Sequence, residues 1–117
     1  MNADETGFFL WVKNYEACVD FYAKTLELRM RFQKPYLTTF DFGGSYLLVE
    51  KEDPAHGEIH RGGRPSFILR MNVSDVQRAT WQLRAKDVEV EFNSYDWGDT
   101  GQFRDPDGNI LQFCKWK

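Results

Sequence analysis

Phe103-Arg-Asp-Pro-Asp-Gly-Asn-Ile-Leu-Gln-Phe-Cys114 holds the strongest turn signal in the chain, with a strand-like run on each side of it. Asp105 suits the first position of a type I turn and Pro106 pre-sets φ for the second, while Gly108 and Asn109 tolerate the positive φ needed to re-enter a strand. The stretch reads as a hairpin closing a sheet. Side chains alternate along a strand, so Ile110, Gln112 and Cys114 go to one face and Leu111, Phe113 and Lys115 to the other. Gln112 is thereby a polar residue committed to one defined face.

Upstream, Val88, Val90 and Phe92 alternate with Glu89 and Glu91 as a strand, followed by a loop Asn93-Ser-Tyr-Asp-Trp-Gly-Asp-Thr100 and a strand Thr100 to Arg104. Before them, Ser66 to Met71 reads as a strand. Ser74 with Gln77 forms a capping box that opens a helix burying Val76, Ala79, Thr80 and Leu83. The first half of the chain repeats this grammar. Phe8 to Val12 is an apolar strand, Asn14 is placed as a helix N-cap, and Tyr15, Cys18, Val19, Tyr22 and Leu26 fall on one face of a helix ending near Thr25. Leu28, Met30 and Phe32 alternate up to Pro35. Leu37 to Phe42 and Tyr46 to Lys51 flank Gly43-Gly44, a two-residue hairpin turn that pairs Phe40 with Leu47, Thr38 with Val49, Asp41 with Tyr46, Thr39 with Leu48 and Leu37 with Glu50. Strand, helix, strand, strand, strand thus occurs twice, joined by a Gly- and Pro-rich linker over 53–65.

The chain's 117 residues make one domain of two half-modules. With 18 acidic against 15 basic residues there is no basic stripe for nucleic acid. No stretch approaches a membrane span, and the opening residues lack a charged-then-apolar signal, so a cytoplasmic protein is expected. Cys18 and Cys114 lie on apolar patterns and read as buried thiols. The 16% aromatic content is high for this size, and Phe8, Phe21, Phe40 and Phe67 are assigned to the core.

A tandem βαβββ ending in Phe-Arg-Asp-Pro-Asp-Gly-Asn-Ile-Leu-Gln, with Asn14-Tyr-Glu-Ala-Cys-Val-Asp-Phe-Tyr22 entering its first helix, resembles the vicinal oxygen chelate superfamily. That group includes glyoxalase I, extradiol dioxygenases, fosfomycin-resistance enzymes and bleomycin-resistance proteins. The resemblance implies an α+β fold in which modules 7–52 and 66–117 form curved mixed sheets around a cup. It also implies a homodimer. The positions that hold metal in this family fall here on Gly7, Glu50, Ser66 and Gln112. Gly7 offers no donor, and a neutral Ser66 hydroxyl binds divalent metals far more weakly than imidazole, so neither metal nor another cofactor is expected. His56 and His60 read as solvated residues of the linker.

Strand alternation then gives the lining of the implied cup: Phe9 and Trp11 beside Gly7, Tyr46 and Leu48 beside Glu50, Ile68 and Arg70 beside Ser66, and Ile110 and Cys114 beside Gln112. Phe8, Leu10, Val12, Phe40, Leu47, Val49, Phe67, Leu69, Met71, Leu111 and Phe113 face the helices. The loop adds Tyr95, Asp96, Trp97 and Asp99, aromatic plates among carboxylates. An alternative packs Trp97 on the sheet edge. The expected function is metal-independent sequestration of a small aromatic or cationic compound, of the bleomycin-resistance type. Alternatives are a glyoxalase- or dioxygenase-type enzyme with Glu50 as general base or a recruited metal, and a non-catalytic dimerisation module.

Overall fold

The computed structural model describes residues 2–52 and 68–117. The expected linker, with His56 and His60, lies outside the described residues, as do Ser66 and Phe67. The chain divides into two units, Met1–His60 and Arg61–Lys117, each carrying one four-stranded mixed sheet and one helical segment. No helix among the described residues is long and apolar enough to cross a membrane.

In the first unit β1 (Gly7–Val12) leads to α1 (Tyr15–Asp20), which widens into a π-helical turn over Phe21–Thr25. Then come β2 (Met30–Lys34), β3 (Leu37–Phe42) and β4 (Ser45–Lys51), in the sheet order β1-β4-β3-β2. β1 runs parallel to β4, and the other pairs are antiparallel. The Gly43-Gly44 turn has φ of +53° and +88°, and the expected pairs from Leu37–Glu50 to Asp41–Tyr46 all occur. Positive φ at both turn residues matches the strand twist, which is why Gly-Gly sets this register.

Cys18, Val19, Phe21 and Tyr22 are buried against the face formed by Leu10, Val12, Phe40, Leu47 and Val49. The Tyr15 hydroxyl donates to the Lys34 carbonyl at 3.1 Å and lies 2.7 Å from Thr38 Oγ1, which ties the helix start to β3. Asn14 is the N-cap residue, but its side chain makes no capping bond; its carbonyl accepts from the Cys18 N–H at 2.9 Å. Phe8, expected in this core, is 42% exposed and meets Phe42 edge-on. It lies on an edge strand, with only β4 beside it to cover the ring.

In the second unit the elements are β5 (Leu69–Asn72), α2 (Val76–Arg84), β6 (Glu91–Tyr95), β7 (Gly98–Arg104) and β8 (Ile110–Trp116), in the order β5-β8-β7-β6. Val76, Thr80 and Leu83 are buried, and α2 lies so close to β7 that a Cβ on Gly101 would come 2.7 Å from Thr80 Oγ1.

Three expectations are corrected here. The cap of α2 is Asp75, whose side chain accepts from the Arg78 N–H at 3.1 Å; the Ser74 carbonyl instead accepts from Lys115. Starting one residue later still buries Val76, and a carboxylate is the better partner for a helix N-terminus. The strand expected at Val88 begins only at Glu91, because Asp87 at φ +63° reverses the chain and Val90 tucks into the core. The Asn93–Thr100 loop is a tight hairpin turning at Asp96 and Trp97, with Tyr95 paired to Gly98. Gly98 permits it, since a Cβ there would meet the Lys115 carbonyl at 2.4 Å.

At the Asp105 turn only Gly108, at φ +86°, takes the left-handed conformation expected of both Gly108 and Asn109. Asn109 instead bonds to Asp105 through its backbone and its side chain. Cys18 and Cys114 are free and buried.

Candidate functional site

Each sheet has one face packed on its own helix and an opposite, partly exposed face, called the open face, and the register fixes which residues share it. In the first unit the open face carries the rows Gly7–Tyr46–Asp41, Phe9–Leu48–Thr39 and Trp11–Glu50–Leu37. Phe9 is 52% exposed and stands edge-on to Trp11, with centroids 5.0 Å apart. Trp11 Nε1 donates to Glu50 Oε2 at 2.6 Å, a charge-assisted bond that holds both side chains in one orientation. Phe9, Trp11, Tyr46, Leu48 and Glu50 are therefore together, as expected. Sequence reasoning missed Thr39, whose buried Oγ1 has no hydrogen-bond partner. Its signal was a small polar residue on the face opposite the buried Thr38.

Tyr46 lies over Gly7, where a Cβ would come 2.2 Å from the ring. The Arg31 guanidinium stands 5.7 Å from the Tyr46 centroid and is bound by Glu5 and Asp41. Arg31's hydrogen bonds hold the Glu5 carboxyl below the ordinary glutamate value, and the two carboxylates raise Arg31 in turn.

In the second unit one polar row crosses all four strands: Arg70, Gln112, Gln102 and Glu91. Arg70 Nε donates to Gln112 Oε1 at 2.8 Å, and Gln112 Nε2 donates to Gln102 Oε1 at 3.3 Å. Asn93 Nδ2 reaches Glu91 Oε1 at 3.4 Å. Gln102 was missed because its partner across the sheet is recognisable only once the β7–β8 register is known. Ile68, immediately before β5, is exposed, whereas Cys114, expected beside Gln112 in the lining, is fully buried.

Tyr95 and Trp97 stack with ring centroids 5.2 Å apart and planes 6° from parallel, and both are over 40% exposed. They do not join Arg70 and Gln112. Tyr95 is four residues along and three strands across from Arg70, about 20 Å by strand spacing. A small ligand does not touch both, so Tyr95, Asp96 and Trp97 form a separate corner. Asp99 points to the helix side, where Ser94 Oγ donates to it at 2.6 Å.

Of the positions the resemblance marks, the described ones, Gly7, Glu50 and Gln112, do not fit a metal. Gly7 has no donor and the Tyr46 ring fills the space a side chain would need. Glu50 is held by Trp11, and Gln112 by Arg70 and Gln102. Among the described residues no three His, Cys, Asp or Glu side chains come together.

Several solved structures share this fold. An antibiotic binding protein, TnmS3, from Streptomyces sp. CB03234 is 20% identical, with a TM-score of 0.79 over 99% of this chain and 98% of that one. A lactoylglutathione lyase from Agrobacterium tumefaciens is 20% identical, with a TM-score of 0.76 over 97% and 93%. A glyoxalase/bleomycin resistance protein/dioxygenase from Nocardioides is 21% identical, with a TM-score of 0.79 over 99% and 85%. No curated protein sequence matches the chain. At such identities the structures establish the fold and leave the activity open. The family model for this group matches residues 6–113, and the chain belongs to the Glyoxalase/Bleomycin resistance protein/Dioxygenase superfamily.

Proposed function

We propose that the protein is a metal-independent binding protein that holds a small aromatic compound on the open faces of its sheets. The observation that carries this reading is a division of labour among the side chains of each sheet. Glu50 in the first unit and Gln112 in the second, the two donors at the family's ligand positions, are each committed to a protein partner within their own unit, while the Phe9 ring on the Glu50 sheet stands exposed against Trp11. A ring packed on Phe9 and Trp11 gains edge or stacking contacts worth about 0.5–1.5 kcal/mol each beyond the area buried. The antibiotic-binding relative of the same fold supports the reading by analogy.

Titration of tryptophan fluorescence with planar aromatic compounds tests it. Trp11→Ala is expected to weaken binding roughly two- to tenfold. Trp81→Ala serves as the comparison, because Trp81 is exposed on α2. Unchanged affinity in a folded Trp11→Ala protein would place the site elsewhere. Every compound should be recovered unaltered after incubation. Conversion that disappears in Glu50→Gln would replace this reading with an enzyme using Glu50 as its base.

A further inference from the structure

We propose that Arg70 is an oxyanion-recognition site on the second unit's sheet and that this sheet takes an aromatic acid; this rests on the reading above that these sheet faces bind aromatic compounds. The guanidinium is held before any ligand arrives. Its Nε is spent on Gln112 Oε1 at 2.8 Å, and the Gln112 amide is held in turn by Gln102 at 3.3 Å, so its acceptor end is turned toward Arg70. A guanidinium fixed through Nε keeps its two terminal nitrogens as a planar fork. That fork matches the two oxygens of a carboxylate.

The charges around it are equally directed. Among the described residues Arg70 makes no ion pair, although the Arg31 guanidinium of the other unit is matched by both Glu5 and Asp41. Glu91, the acid of the same row, is three strands away, about 14 Å. Arg70 is exposed, and exposed Ile68 stands two residues before it as apolar surface for the body of a ligand. Asp96 belongs to the separate corner of Tyr95 and Trp97, about 20 Å along the sheet from Arg70. Asp99 accepts from Ser94 on the helix side. Gln112 sits where the family places a metal ligand, and here it acts as the positioning residue for Arg70.

The test uses one ring with three charges: 2-naphthoate, 2-naphthamide and 2-naphthylmethylammonium, titrated against the full chain. The acid should bind on the order of tenfold more tightly than the amide, with the ammonium weakest. Arg70→Gln should abolish the preference while leaving amide affinity in place. Gln112→Leu should shrink the preference although the charge remains, a change that loss of fold would not mimic because the amide reports it. Arg78→Gln, which removes an equal charge from α2, should leave the preference intact. Equal affinities for the three, or a preference that survives Arg70→Gln, would overturn the assignment while leaving aromatic binding standing. Failure of all three to bind would overturn both.

Discussion

The Asp105 carboxylate accepts from the N–H groups of Asp107 and Asn109 and from the Asn109 side chain, all at 2.8–2.9 Å, in a residue only 5% exposed. Removing it strands donors that the turn has withdrawn from water. Asp105→Ala should therefore destabilise the fold by about 2–4 kcal/mol, with Asp105→Asn costing roughly half, read from denaturant midpoints. Glu5 is the opposite kind of carboxylate, solvent-exposed and coupled to Arg31. Arg31's hydrogen bonds lower its pKa in the folded state. The sign follows: the interaction is present above the unfolded-state value and is lost as pH falls through the folded one. NMR titration should find Glu5 ionising below the ordinary glutamate range. In Arg31→Gln it should move back up, and an unmoved value would remove Arg31 as the cause.

Among the elements, the β3–β4 hairpin and the α2–β7 contact respond to substitution for different reasons. Gly43 and Gly44 have open space around them, so only backbone conformation matters there. Gly43→Asn should be nearly neutral, while Gly43→Val should cost about 1–2 kcal/mol. At Gly101 the limit is space. Gly101→Ala should cost about 1–3 kcal/mol through the clash with Thr80 Oγ1. Most of that should return in Gly101→Ala/Thr80→Ala, since Thr80 Oγ1 is buried without a hydrogen-bond partner and little is lost with it. Additive thermal shifts in that cycle would show that the two sites do not share the clash.

The same contrast explains what was legible beforehand. Gly43-Gly44 dictates register locally, so the β3–β4 pairing could be read from residues adjacent in sequence. The Tyr95–Trp97 hairpin depends on Gly98 approaching β8, a neighbour seventeen residues further on, and so resembled a loop. Phe9, Trp11, Tyr46, Leu48 and Glu50 on the open face of the first unit followed from strand alternation once the resemblance marked Gly7 and Glu50. Arg70's anchoring did not, because the hydrogen bonds from Arg70 through Gln112 to Gln102 require the order of three strands, β5, β8 and β7.

For the whole molecule, the remaining question is what covers the apolar side chains the chain exposes. In β2 all five residues are exposed, Met30 and Phe32 included, with Tyr36 just beyond it. Phe32 shares its row with Thr39, Leu48 and Phe9 and so stands on the open face. We propose a symmetric homodimer, the assembly that the family resemblance implies. Edge-to-edge strand pairing is the poorer route to it, since β2 carries a register shift between Met30 and Phe32 and two exposed cations, Arg31 and Lys34. Bulges and charges on an edge strand discourage a further strand from pairing there. Packing through exposed apolar side chains has no such obstacle, and a formal charge of −3 per chain offers little repulsion. Light scattering at micromolar concentration should give twice the 13.8 kDa chain mass. Phe32→Glu should shift the equilibrium toward monomer with the fold intact by circular dichroism. Wild-type protein that remains monomeric under those conditions would rule the dimer out, and a dimer indifferent to Phe32→Glu would move its interface away from β2.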